Sequence, residues 1–162
     1  MVISIALAGA GHFIGALLFY FFHRCIFHGP LGRWPILKKW AAIHTAHHRR
    51  PHDPGAFFFP WWANIIIWAL TIGLCFVSLA FGVGMLSFFA LYSYRHRAAH
   101  LGSRTRWARH HLTHHYAASN SNFSGSYPFI DKLFHTYQGI HPEWLEHQIT
   151  RANKRRNKQT PR

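Results

Sequence analysis

Acidic residues are nearly missing from this chain. Asp53, Asp131, Glu143 and Glu146 stand against 18 Lys and Arg in 162 residues, a net charge of +14 before any histidine is protonated. Four scattered carboxylates cannot build a soluble four-carboxylate metal enzyme. Cysteine is scarce too, and Cys25 and Cys75 alone exclude a disulfide scaffold. Charge of either sign is absent from Val2–Phe22 and from the 41 residues Pro54–Tyr94. Apolar runs that long read as membrane spans rather than as the core of a soluble domain. Aromatics at 17% exclude intrinsic disorder. What the chain has in excess is histidine, 16 residues in all.

At ~1.5 Å rise per residue, Val2–Phe22 makes a helix of about 32 Å against a hydrocarbon core of ~30 Å, which is one span. A cleaved signal peptide would begin with a basic segment, and Met1–Ile5 offers no base. The run Ala56–Tyr94 would be ~58 Å long as one helix, so it fits two crossings with a turn near Gly73–Ser78. Gly82 and Gly84 then lie inside the third helix, where small residues let helices approach closely. Every Lys and Arg falls in Arg24–Arg50 or Arg95–Arg162. The positive-inside bias therefore places the N-terminus outside and both basic segments in the cytoplasm. The expected fold is an all-α integral membrane protein. It has three transmembrane helices, an N-terminal span plus a helical hairpin, and cytoplasmic helices that carry four histidine boxes. Residues 1–150 form one domain and 151–162 a basic cytoplasmic tail. Cys25 faces a reducing compartment, and no disulfide is expected.

Ten histidines form four tight groups: His23 and His28; His44, His47 and His48; His96 and His100; His111, His114 and His115. Residues three or four apart share a helix face, so each of the last three groups presents two imidazoles to one point. The adjacent His48 or His115 sits about 100° round, in reach of a neighbouring ion. His23 and His28 are five apart and need the helix to loosen or end near His28, where Gly29-Pro30 supplies a stop. The hairpin brings all four groups to one side of the bilayer. Neutral imidazole suits zinc, copper, iron and nickel. Ten ligands are too many for one tetrahedral ion and suit two ions with positions left open. The bland alternative is a set of polar groups clustered by chance at a membrane interface. His12, alone inside the first span, reads as a hydrogen-bonded polar residue. His52, His110, His135, His141 and His147 lack ligand spacing.

The order His-x4-His, His-x2-His-His, apolar hairpin, His-x3-His, His-x2-His-His resembles the membrane fatty acid hydroxylase/sterol desaturase superfamily, from about His23 to Gln138. Further matches are His47-His48-Arg49-Arg50-Pro51-His52-Asp53, Asn122-Phe123 and Ile130–Thr136. The triplet Phe134-His135-Thr136 is closer to the fatty acid 2-hydroxylase branch than to the sterol branch. The resemblance implies a di-iron centre held by His23, His28, His44, His47, His48, His96, His100, His111, His114 and His115. It also implies O2 as co-substrate and an unactivated C–H bond of a lipid or fatty acyl chain as target. Carotenoid hydroxylases and lipid or sterol desaturases share such a centre. The chain departs from the pattern at Ser93, where many relatives carry Asp, and at Ser124, where Gly is usual.

Breaking an alkyl C–H bond needs redox-active metal, which d10 zinc is not. Asp131 either orients a ligand imidazole by accepting its other N–H or serves as a plain helix cap or salt-bridge partner. Phe57-Phe58-Phe59, Trp61 and Trp62 either line the path of the lipid or anchor the second span as an aromatic belt. The chain has no flavin, haem or iron–sulfur motif, so electrons are expected from an external donor of the ferredoxin or b-type cytochrome class. Arg95, Arg97, Arg104, Arg106 and Arg109 either dock that donor or satisfy the positive-inside bias. A histidine-rich membrane metal transporter is the non-enzyme alternative, but transporters place ligands near the bilayer midplane, and these groups lie outside the spans. The basic tail has no interleaved aromatics, which argues against nucleic acid and for anionic headgroups.

Overall fold

The computed structural model describes residues 2–51, 53 and 60–159, the side chains at 152, 153 and 155–159 excepted. Among the described residues all regular structure is helical: α1 (Val2–Phe22), a π-turn (His23–Phe27), a 3-10 turn (Pro30–Arg33), α2 (Lys38–Arg49), α3 (Trp61–Val77), α4 (Leu79–His100), α5 (Arg106–Tyr116), α6 (Pro128–Leu133) and α7 (Pro142–Gln159).

The charge-free α1 buries Gly11, Gly15, Ala16, Phe19 and Tyr20, a stripe that returns every three or four residues and faces α4. The two backbones touch. A Cβ on Gly11 would stand 2.1 Å from the Phe81 carbonyl oxygen, and one on Gly84 2.0 Å from that of Ala8, so neither position has room for a side chain. The opposite face of α1 exposes Val2, Ile5 and Leu18, and α3 exposes Ile65, Leu70, Phe76 and Val77. Val2–Phe27 is long and apolar enough to cross a membrane, while α3 is a shorter apolar helix.

The break between α3 and α4 is the single extended residue Ser78, at the far end of the expected turn. Its hydroxyl accepts from the Phe81 N–H and caps α4. Next to the break Gly82 lies against the backbone of Cys75. Cys25 and Cys75 are both free thiols.

The remaining helices form a cap over the ends of α1 and α4. Leu145 and Ile149 of α7 bury against Ala99 of α4 and Ala108 and Leu112 of α5. Each of these large side chains contributes roughly 1.5–3 kcal/mol on leaving water. An ion pair between Arg104 and Glu146 pins the same contact. The boundary placed at residue 150 falls inside α7, because no Gly or Pro interrupts the chain between Pro142 and Gln159.

Candidate metal centre

Four elements bring histidines to the junction between helices and cap. The α1 helix does not end at His23 but widens into a π-turn. The His28 N–H bonds the His23 carbonyl at 3.1 Å, an i→i+5 bond that carries residues five apart round to one side. The loosening required by the His-x4-His spacing is thus a π-turn, with Gly29 and Pro30 following it. The α2, α4 and α5 helices supply the other groups on regular turns.

The ten imidazoles separate into two sets of five. His23, His28, His44, His48 and His114 form one, and His47, His96, His100, His111 and His115 the other; within each, the ligand nitrogens lie within 4.8 Å of one another. In both α2 and α5 it is the pair four apart that shares a set (His44 with His48, His111 with His115). The middle residue, His47 or His114, crosses to the other set. This differs from the expectation that His48 would be the one to cross. Four residues of α-helix return to within about 40° of the start, whereas three fall about 60° short.

The nitrogen spacing does not fit hydrogen bonding alone. His44 Nε2 has the Nε2 atoms of His23, His28 and His48 at 3.0, 2.9 and 2.9 Å. An imidazole nitrogen carries one N–H or one in-plane lone pair, so it can bond only one of the three. The spacing does fit shared coordination. Two imidazole nitrogens bound at about 2.0–2.1 Å, as to zinc, stand about 2.8–3.0 Å apart at right angles and about 3.3–3.4 Å apart in a tetrahedron. In the second set the His96–His47 and His100–His111 Nε2 pairs are both 3.0 Å apart. His115 makes the point differently. Both of its ring nitrogens are buried without a hydrogen-bond partner among the described residues, although four other histidine rings lie 4.2–4.6 Å away. Each set therefore fits one ion with right-angled rather than tetrahedral coordination.

Protonation would break either arrangement, and the surroundings oppose it. Burial holds His28 down to about 4 and, helped by the neighbouring His28, His48 to about 3. His44, His111, His114 and His115 lie well below the ordinary imidazole value, first through burial and then through adjacent imidazoles. All are neutral at pH 7, the form that binds metal. Two are also fixed in tautomer: His23 Nδ1 donates to the Phe123 carbonyl at 2.6 Å and His114 Nδ1 to the Ser121 carbonyl at 2.7 Å. Both Nε2 lone pairs are thereby turned inward.

Those two carbonyls belong to a loop built round Asp131. Its fully buried carboxylate accepts from the Phe123 N–H (2.7 Å), the Ser124 N–H (3.1 Å), the Ser124 hydroxyl, Thr136 Oγ1 (2.8 Å) and His110 Nε2 (2.9 Å). Asn122, in the left-handed region at φ 56°, locks the loop by exchanging hydrogen bonds with the Gln138 backbone. Tyr20 ties it to α1 through Thr136 Oγ1.

The sequence profile of the fatty acid hydroxylase family matches residues 9–136, most of the chain and all ten histidines. The chain belongs to that family. It is similar to the fatty acid 2-hydroxylases of Macaca fascicularis (29% identical) and Homo sapiens (28%), in each case across 78% of this chain and 38% of the relative. It thus spans well under half the length of the curated relatives it matches. Among solved structures it is similar to full-length scs7p, in which only the hydroxylase domain is visible. There the TM-score is 0.70 at 26% identity, over 85% of this chain and 57% of the other. The resemblance drawn from the histidine order is borne out.

Several residues fall outside the two sets. Asp131 bonds His110 rather than one of the ten, so it reaches the grouped histidines only through the backbone of residues 121–124. Sequence spacing gave His110 no role; the only hint was a second histidine beside His111. Ser124, the departure from the family pattern, places its hydroxyl on Asp131. His12 bonds Ser87 Oγ and Tyr127 Oη, both at 2.7 Å, as a satisfied polar residue. His135, His141 and His147 are exposed, and His52 and Phe57–Phe59 lie outside the described residues. Trp61 is exposed, while Trp62 packs edge-on against Trp40. Of the five arginines considered for docking, Arg104 is paired with Glu146 and Arg95 lies over the rings of Trp107 and Tyr127.

Proposed function

We propose that this chain is a membrane-bound, O2-dependent di-iron oxygenase that hydroxylates an unactivated C–H bond of a lipid or fatty acyl substrate. The observation that carries the reading is the division of ten imidazoles into two five-nitrogen sets with right-angled spacing, in a chain of the fatty acid hydroxylase family. His23, His28, His44, His48 and His114 would hold one iron, and His47, His96, His100, His111 and His115 the other. Bound iron supplies the redox chemistry by which O2, two electrons and two protons give one oxygen atom to the C–H bond and the other to water.

The chain's own residues orient and shield. The Phe123 and Ser121 carbonyls fix two ligand rings, and seven of the ten imidazoles are buried, which limits the access of bulk water while His28 stays exposed. The exposed apolar faces of α1 and α3 support a membrane setting, and the confinement of Lys and Arg to the segments flanking the hairpin supports three spans with the N-terminus outside. The histidines then sit at the cytoplasmic ends, where an acyl chain arrives from the bilayer and electrons from a donor of the ferredoxin or b-type cytochrome class. Arg97 and Arg106, both exposed and without an ion pair among the described residues, are the better docking candidates.

The test is to express the chain and its His44→Ala variant, count iron in the purified proteins and compare cellular lipids by mass spectrometry under isotopically labelled dioxygen. Two irons and a hydroxylated lipid carrying one labelled oxygen are expected from the wild type, and neither from the variant. Zinc in place of iron, or identical lipids, overturns the reading. In a reporter-fusion map Arg49 and Arg106 should both be cytoplasmic; finding them on opposite faces removes the shared site.

A further inference from the structure

Apart from the histidine sets, the cap contains a cavity of about 230 Å³ between α5, α6 and the strand-free segment that follows them. It is smaller than the ~300–1,000 Å³ of drug-sized sites, a size suited to one headgroup-sized moiety. Arg106, Arg109 and Lys132 line it, no carboxylate does, and none of the three cations has an ion pair among the described residues. Uncompensated positive charge round a concave site selects an anion.

His110 also lines the cavity, is 6% exposed and is held by its Nε2 donating to Asp131. Tyr137, with its ring parallel to that of His110 and the Lys132 ammonium 5.0 Å from its centre, stiffens the same wall.

We propose that this cavity binds a phosphate monoester. Arginine forks match phosphate oxygens two at a time, and lysine adds a point charge. A phosphate monoester offers three terminal oxygens to these three cations, whereas a carboxylate offers two. The group belongs either to a lipid headgroup at the membrane surface or to a soluble phosphate. The site stands apart from the grouped histidines, so its test reads binding and is independent of metal content.

The full chain, purified in uncharged detergent and phosphate-free buffer, is titrated calorimetrically with inorganic phosphate. In a second arm it is titrated with short-chain phosphatidic acid in the same detergent, with short-chain phosphatidylcholine as the blank. Saturable one-to-one binding is expected in at least one arm. It should weaken about tenfold or more in Arg109→Gln and in Lys132→Gln, and stay unchanged in Arg49→Gln, a surface arginine of α2. Circular dichroism confirms that the variants are folded. Binding of phosphatidic acid alone identifies a lipid headgroup as the source, and binding of inorganic phosphate identifies a soluble one. No saturable binding in either arm overturns the proposal. So does binding that Arg109→Gln and Lys132→Gln leave intact, or that Arg49→Gln weakens equally.

Discussion

Replacing Asp131 with asparagine changes one oxygen to an amide and leaves the shape of the side chain alone. Oδ2 meets the Ser124 N–H, the Ser124 hydroxyl and His110 Nε2; Oδ1 meets the Phe123 N–H and Thr136 Oγ1. The hydroxyls can turn to accept from the new NH2, but a backbone N–H cannot. Placing the amide at Oδ1 sacrifices one such N–H and is the cheaper choice, so Phe123 loses its partner. A buried orphan N–H costs about 1–3 kcal/mol, and the surviving bonds lose their charge assistance, for a total of roughly 3–5 kcal/mol. At about 2–4 °C per kcal/mol for a chain of this size, the melting midpoint should fall by roughly 6–20 °C. The disturbed N–H belongs to Phe123, the residue whose carbonyl orients His23, so metal should leave the set containing His23 first and remain in the set containing His96. Thermal melts in detergent and metal-to-protein ratios read both effects. A midpoint within ~2 °C of wild type, or equal loss from both sets, would refute the reasoning.

Other outcomes follow from the same geometry. His28→Ala and His114→Ala should each empty one set, and combining them should remove no more metal than either alone, whereas His28→Ala with His96→Ala should remove all of it; metal analysis of the single and double variants decides. The metal-free protein should lose stability as pH falls. His28 and His48 titrate near 4 and 3 when folded but near 6.5 when unfolded, so the unfolded chain binds more protons across that window. Melts of chelator-treated protein should be flat above pH 7 and drop from about 6.5 towards 3. Gly84→Val should cost at least about 1–3 kcal/mol, because its Cβ meets the Ala8 backbone, while Gly9→Ala, with nothing within 4 Å, should be close to neutral. Reversing charge at Arg97 and Arg106 should slow donor-driven turnover and flatten its salt dependence; an unchanged rate across a salt series removes the docking role.

Legibility in the sequence followed periodicity. The ten histidines stood out because helical spacing is a property of neighbours along one chain, and the break at Ser78 because 39 apolar residues exceed one crossing. The π-turn was legible only as a need: a five-residue interval demanded loosening, but nothing local distinguishes a π-turn from a helix end. The assignment of His47 and His48 turned on the difference between 60° and 40° of rotation, finer than a shared-face rule resolves. The loop round Asp131 was illegible for a different reason. Its partners, His110, Phe123, Ser124 and Thr136, lie up to 21 residues away and are joined by left-handed turns at Asn122 and His135, non-glycine positions that no pattern announces.

The alternation on α2 and α5 explains why two sets exist rather than one crowded cluster. His47 and His48 are adjacent, about 100° apart round the helix, and they face different sets, as do His114 and His115. Each of these helices therefore serves both sets, while the π-turn serves only the first and α4 only the second. The separation between the sets is held by two rigid elements at once, so neither set can drift without moving a helix that also anchors the other. His48 and His115 mark the seam, their rings stacked with centres 4.2 Å apart although they belong to different sets. A helix that presented only a pair four residues apart would fill one site and say nothing about a second. The third histidine in each of the two triplets fixes the position of one candidate metal site relative to the other.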